Sequence, residues 1–213
     1  MGKGIIVVGT TSEVGKTYVA SLLVKNMKKY GFHTGYYKVC SSRMAYAKLE
    51  QILPEDIFVS YLYRTQAAPH IAAMMENKPI ERAKINDDFA KLSQTYDFLC
   101  VESNSGMMCP LKIGDSETLM MTDIIKDMGA PIILVSSLLS DKINHLLLSI
   151  QYARSKHLPL KGVILNRYNP QSAFCQDKLK EIEEVLDVPI ICVVEENAQS
   201  LPLSRAELIR LFE

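Results

Sequence analysis

The sequence has no apolar run near the roughly 18 residues that a membrane-crossing helix requires. It has no surplus of charge either, because 24 lysines and arginines balance 24 aspartates and glutamates. That balance argues against nucleic acid or an anionic membrane as the main partner, since both select proteins with excess positive charge. The five cysteines, Cys40, Cys100, Cys109, Cys175 and Cys192, form no C-x-x-C pair. None of the four histidines has the spacing to a carboxylate or a cysteine that a zinc site needs. There is no G-x-S-x-G nucleophile elbow, and no internal repeat, low-complexity tract or linker. The chain enters an apolar strand pattern almost at once, leaving no room for a signal peptide. The expectation is a cytoplasmic protein with reduced cysteines.

What is present centres on Gly9-Thr10-Thr11-Ser12-Glu13-Val14-Gly15-Lys16-Thr17. Before it, Ile5-Ile6-Val7-Val8 reads as a buried strand. After it, Val19, Leu23 and Met27 recur at helical spacing, with Lys25, Lys28 and Lys29 off that face. A loop bounded by glycines therefore joins a strand to a helix that opens with Lys16-Thr17. Backbone N–H groups and the positive end of a helix dipole there face an anion. Lys16 can reach outer phosphates, and the Thr17 hydroxyl can hold Mg²⁺. Five residues rather than the usual four separate the two glycines.

Strand and helix patterns alternate to the end of the chain. Strands are expected at 33–38, 98–101, 131–135, 162–165 and 189–194. Helices are expected at about 43–53, 71–75, 86–96, 142–156, 171–186 and 205–212, and one more ends at 127. Residues 58–69 read as irregular, and residues after Glu102 as a long loop to about Glu117. The 213 residues suit one α/β domain over 1–213, P-loop NTPase-like, with a mostly parallel sheet and helices on both faces. Ligands on such sheets bind at the carboxyl ends of the strands. Lys16, Lys38, Glu102 and Asn166 all fall at or just past such ends, so four polar groups are expected in one crevice.

Residue type alone leaves several roles open. Glu102, after four apolar strand residues, is placed to hold Mg²⁺ opposite the phosphate loop, or to form an ion pair. Lys38 either neutralises charge that develops in phosphoryl transfer or closes a strand as a solvated lysine. The loop Ser103-Asn104-Ser105-Gly106 offers polar groups to a substrate or simply turns the chain. Asn166 can read both edges of a purine or form a turn. Asn144, after Ser140-Asp141-Lys142, is a ligand contact or part of helix capping.

Taken together, the motifs resemble the dethiobiotin synthetase family, the ATP-dependent ring-closing enzymes of biotin synthesis. The resemblance lies in the phosphate loop with its odd glycine spacing, in Gly35-Tyr36-Tyr37-Lys38, and in Ala68-Pro69-His70-Ile71-Ala72-Ala73. It continues in Val101-Glu102 with Gly106 and Pro110-Leu111, in Ile143-Asn144-His145-Leu147-Leu148, and in Leu158 to Asn166. The resemblance implies a catalytic set of Lys16, Thr17, Lys38 and Ser42. Ser12, Glu13, Val14, Gly15, Lys16 and Thr17 would line the ATP phosphates, and Asn166 would read adenine. Thr17 and Glu102 would hold Mg²⁺. Lys38, Ser42, Ser105 and Asn144 would contact the substrate, Asn144 taking its carboxylate across a homodimer interface. The implied chemistry is carboxylation of 7,8-diaminononanoate by CO₂ and closure of a cyclic urea, at the expense of ATP.

The sequence departs from the family at several points. Lys38-Val39-Cys40-Ser41-Ser42-Arg43 lacks the family's proline and glycine, and the segment after it is short. Met44 stands near the place of a further acidic Mg²⁺ ligand, Thr11 replaces a loop aspartate, and Ser103 and Ser105 replace glycines. Two rival readings are a nucleotide-switch ATPase of the partitioning type and a catalytically impaired ATP-binding paralogue. The first normally carries an extra lysine early in the phosphate loop, where this chain has Thr10-Thr11.

Overall fold

The computed structural model describes residues 2–114, 117–139 and 143–213. Among them, β1 (Lys3–Gly9), β2 (Thr34–Ser42), β3 (Ile57–Tyr63), β4 (Phe98–Glu102), β7 (Ile132–Ser137), β8 (Leu160–Tyr168) and β9 (Ile190–Glu195) form one sheet. Its strand order is β3-β2-β4-β1-β7-β8-β9, and every pairing is parallel. A separate antiparallel hairpin joins β5 (Pro110–Ile113) to β6 (Thr118–Met120). The helices are α1 (Lys16–Lys29), α2 (Arg43–Ile52), α3 (Pro69–Met75), α4 (Arg82–Thr95), α5 (Met121–Met128), α6 (Ile143–Ser155), α7 (Ala173–Val185) and α8 (Arg205–Leu211).

The central strands are apolar on both faces because both faces are covered. On one side Ile5, Val7, Cys100 and Ile133 pack with Val19, Leu23 and Met27 of α1, Leu49 of α2, and Leu208 and Leu211 of α8. On the other, Ile6, Val8, Leu99, Val101 and Leu134 meet Ile85 and Phe89 of α4, Ile124 of α5, Ile150 of α6 and Ile182 of α7. Burying one large apolar side chain of this kind contributes about 1.5–3 kcal/mol. The two clusters together hold β1 and β4 rigidly in the middle of the sheet, and the phosphate loop and Glu102 leave from their carboxyl ends. The expected α/β architecture with helices on both faces is thus the observed one.

Three local expectations need correction. Residues 58–69 are not irregular throughout, since Ile57–Tyr63 is the edge strand β3. Its β-branched and aromatic residues pair with β2 on one side only, and Tyr61 and Tyr63 turn into the core. Because β3 pairs Cys40 with Tyr61 and Ser42 with Tyr63, β2 runs on to Ser42. Lys38 therefore lies in mid-strand, not at a strand end. The supposed loop before Glu117 contains the β5 strand of the hairpin, whose arms of four and three residues are too short for a period-two signal. The expected helix start at Lys142, with Ser140 and Asp141, lies outside the described residues.

Candidate active site

The phosphate loop leaves β1 at Gly9 and enters α1 through Gly15, which takes a left-handed φ of 88°. Glu13 is also left-handed, at φ 64°. A side chain at either glycine would collide with a functional group. A Cβ on Gly9 would sit 2.8 Å from Lys16 Nζ, and one on Gly15 would sit 2.1 Å from Asn166 Nδ2. The glycines therefore make room for Lys16 on one flank of the loop and Asn166 on the other. No side chain caps the start of α1, and no acidic residue occupies its first turn. The helix end is accordingly left positive, as anion binding needs.

Lys16 is buried and folds back over Gly9, its Nζ donating to Thr11 O at 3.2 Å. Burial lowers its pKa below the usual 10.5; the charge of Glu102 opposes that shift and the charge of Lys38 reinforces it. Glu102 is only 1% exposed. Strand register puts it between Val7 of β1 and Lys38 of β2. Its Oε1 accepts from Thr17 Oγ1 at 2.8 Å and from Lys38 Nζ at 3.0 Å. Its Oε2 accepts from the Tyr36 hydroxyl. Tyr36 is fully buried, and burial together with the Glu102 charge pushes its pKa well up, so it remains a neutral donor. Lys16, Thr17, Lys38 and Glu102 thus form one charged cluster at the head of α1.

Thr17 and Glu102 offer two hard oxygens within hydrogen-bond distance, which suits Mg²⁺. Among the described residues no group of three or more His, Cys, Asp or Glu side chains could hold a metal by itself. A magnesium ion here would draw its other ligands from phosphate and water, as this ion commonly does.

Among the cavities that border the loop, two lie beside the charged cluster and Asn166. One, of about 300 Å³, is lined by Ser12, Ser41, Ser42, Asn104, Ser105 and Cys109 among others. The Ser42 hydroxyl also caps α2, accepting from Ala45 N–H at 3.2 Å. Ser105 is tied to the phosphate loop, since Gly9 N–H donates to its carbonyl at 3.2 Å. The other cavity, of about 360 Å³, is lined by Gly15, Tyr18, Asn166, Arg167, Glu196 and Asn197. Asn166 Nδ2 donates to Val14 O at 2.9 Å, which fixes the orientation of the amide. Its Oδ1 is buried without a partner.

The four groups expected at strand ends do not all share one crevice, and Asn166, like Lys38, lies within its strand, since β8 runs on to Tyr168. Lys16, Lys38 and Glu102 gather, while Asn166 serves the second cavity across the loop. Ser12 and Glu13 are exposed on the loop, and Val14 is buried beneath it. Asn144 is exposed as the second residue of α6 and lines neither cavity. Sequence reasoning missed Tyr36, although it shares a strand face with Lys38 by the period-two rule. It also missed Tyr18, Glu196 and Asn197, which no local pattern connects to Asn166.

A glycine-bounded loop between a central parallel strand and a helix, with a buried carboxylate against the helix-opening threonine, defines a P-loop ATPase-type α/β protein. The AAA domain family matches residues 3–203. Solved structures share this fold. They include a ParA family ATPase from Chlorobium tepidum, with a TM-score of 0.59 at 13% identity over 92% of this chain and 84% of that one. Cobyrinic acid a,c-diamide synthase from Mycobacterium smegmatis gives a TM-score of 0.56 at 12% identity, over 100% of this chain and 91% of that one.

Sequence relatives narrow the class. The chain is 33% identical to the ATP-dependent dethiobiotin synthetase of Brachyspira hyodysenteriae over the whole of both chains. It is also 33% identical to that of Clostridium perfringens over 91% of each. The chain belongs to the dethiobiotin synthetase family.

Proposed function

We propose that this chain carboxylates 7,8-diaminononanoate with CO₂ and closes it to dethiobiotin, with ATP and Mg²⁺. As a member of its family it is an ATP-dependent ligase forming carbon–nitrogen bonds in biotin biosynthesis. The observation that carries the mechanism is the buried Glu102 carboxylate, bonded to both Thr17 and Lys38 and interacting with Lys16.

In this reading the loop backbone from Ser12 to Thr17 wraps the phosphates. Lys16 and Lys38 neutralise the charge that builds up as the γ-phosphoryl group moves. Thr17 and Glu102 hold Mg²⁺, which supplies further charge neutralisation at the phosphates when bound. Asn166 Oδ1 accepts from the adenine amino group, because its nitrogen is already committed to Val14. A bare buried acceptor selects a base that offers a donor there.

The amine substrate is assigned to the 300 Å³ cavity beside the loop. Its described lining holds hydroxyls, thiols, an amide and small apolar groups, with no charged side chain. The positive charges of Lys16 and Lys38 act on Cys109 and Cys40 in its wall. Such surroundings disfavour an ammonium ion and favour a neutral amine, which is the form that attacks CO₂. The same charges stabilise the carbamate anion that results. The carbamate oxygen takes the γ-phosphoryl group from ATP, which leaves ADP. The second amine then attacks the carbonyl of the mixed anhydride, phosphate departs and the five-membered ring closes. The enzyme's task is to hold these groups in line, more than to supply a strong base. Ser42 and Ser105 contact the diamine end, and Asn144 takes the carboxylate of a substrate bound to the second subunit of a homodimer. Among the described residues no helix is long and apolar enough to cross a membrane.

The decisive experiment supplies the diamine, bicarbonate and Mg²⁺-ATP and looks for the cyclic urea by mass spectrometry. Stoichiometric urea, ADP and phosphate are expected. ATP hydrolysis with no urea would reject the ligase reading in favour of a nucleotide switch, and absence of both would mean an impaired paralogue.

A further inference from the structure

The β2–β4 ladder pairs Thr34 with Phe98 and Lys38 with Glu102, a constant offset along the two strands. Carried two residues further, the same register puts Cys40 opposite residue 104. β4 has already ended at Glu102, whereas β2 continues to Ser42. On that side the Cys40 peptide would have lost its strand partner, although it is buried. The side chain of Asn104 takes over. Its Oδ1 accepts from Cys40 N–H at 3.0 Å, and its Nδ2 donates to Cys40 O at 2.6 Å.

A carboxamide carries the same donor and acceptor as a peptide group. Asn104 therefore adds one more rung to the ladder with its side chain, at the position where its backbone has left the strand. The rung joins the two walls of the 300 Å³ cavity. Cys40, Ser41 and Ser42 stand on one side, and Asn104 and Ser105 on the other. It also ties the cavity to the phosphate loop, because Ser105 O accepts from Gly9 N–H. Among the described residues neither serine beside Asn104 bonds to Cys40, so the amide is the group that spans the two strands beyond the end of the ladder.

We propose that Asn104 is a positioning residue that sets the width of the substrate cavity by standing in for a strand. This deepens the functional reading above and rests on its assignment of that cavity to the diamine. The phosphate loop meets this wall through the Gly9–Ser105 backbone bond and Ser12, whereas Lys16 and Thr17 make their own bonds to Thr11 O and Glu102. Loss of the amide therefore loosens the substrate wall and leaves the nucleotide site in place.

The test compares wild type with Asn104→Ala and Asn104→Asp. Asp keeps the acceptor for Cys40 N–H but sets a carboxylate oxygen against Cys40 O. Both variants are expected to raise KM for the diamine by about tenfold, the effect of one buried hydrogen-bonding pair. KM for ATP should change less than about twofold, well below what loss of one such bond produces. Native-state labelling by a thiol reagent, mapped by mass spectrometry, should reach Cys40 faster in both variants. An unchanged diamine KM, or equal loss for diamine and ATP, overturns the proposal.

Hydrogen exchange on the wild-type protein is a check that needs no variant. The Cys40 amide should be protected to the level of its neighbours in β2, and rapid exchange there overturns the rung. If wild type makes no cyclic urea, the functional reading fails by itself, while exchange and Cys40 labelling still decide whether the rung exists.

Discussion

On one flank of the phosphate loop, the Glu102 carboxylate receives donors from Thr17, Lys38 and Tyr36. On the other flank, Asn166 ties its nitrogen to Val14 O and leaves a buried oxygen without a partner. Glu102 ends β4, Asn166 lies two residues before the end of β8 with β1 and β7 between them, and both are 1% exposed. The difference matches what each flank has to recognise. A buried charge must be paired or it does not stay charged, so the phosphate side is assembled in advance. An unmet neutral acceptor costs only about 1–3 kcal/mol, which a ligand's own donor can offset. The base side can therefore be built incomplete, and the missing bond becomes the means of selection.

The largest effect that can break this comparison belongs to Lys16. Lys16→Met should cut turnover by about 10²–10³-fold, the usual loss when a charge-stabilising donor is removed. The same variant should melt at a higher temperature. The pKa of Lys16 is lowered in the folded chain, so the unfolded chain binds its proton more tightly. That destabilising contribution is complete below the lowered pKa, fades as pH rises through it, and is gone above 10.5, the ordinary lysine value. The stability gap between variant and wild type should therefore narrow on the alkaline side. A variant less stable than wild type at neutral pH would contradict the burial argument.

Glu102→Gln comes next. It strips the counter-charge from Lys38, whose side chain is 14% exposed. Breaking a buried pair in this way costs about 3–5 kcal/mol, readable in urea denaturation. A loss below that of an exposed ion pair, about 1 kcal/mol or less, would show that the phosphate flank is not assembled by charge pairing.

Asn166→Ala should shrink the preference for ATP over GTP by about tenfold, the worth of one buried hydrogen bond. Competition assays measure it, and unchanged discrimination would remove Asn166 from base reading. Tyr36→Phe is expected to have the smallest effect. It leaves Glu102 Oε2 short of a donor, costs about 1 kcal/mol of stability, and raises the Mg²⁺ concentration needed for half-maximal Mg²⁺-ATP binding by calorimetry. An unaltered magnesium requirement would make Tyr36 a packing residue only.

Most of the sheet could be read directly from the chain, because its central strands are short, continuous apolar runs between amphipathic helices. Ile5-Ile6-Val7-Val8 and Phe98-Leu99-Cys100-Val101 could hardly be anything but buried strands. Edge elements were harder. β3 has one strand neighbour, so its pattern is set by Tyr61 and Tyr63 packing inward and not by uniform burial. The β5–β6 hairpin is shorter than any period that could announce it. In the site, the phosphate loop and Glu102 were legible because local spacing carries them. Tyr36 and Asn104 were not, because each acts on a residue about 64–66 positions away.

Local sequence determined whatever depends on neighbours along the chain: the glycine-bounded loop, the helix that opens with Lys16-Thr17, and the alternation that makes a parallel sheet. Tertiary structure decided what depends on register between strands. It put Lys38 in mid-strand opposite Glu102, sent Asn166 to the far side of the loop, and let an asparagine side chain replace a missing strand. The physical reason is that spacing along a chain constrains bonds within one turn or one strand, whereas the meeting of distant side chains is settled only when the sheet has packed.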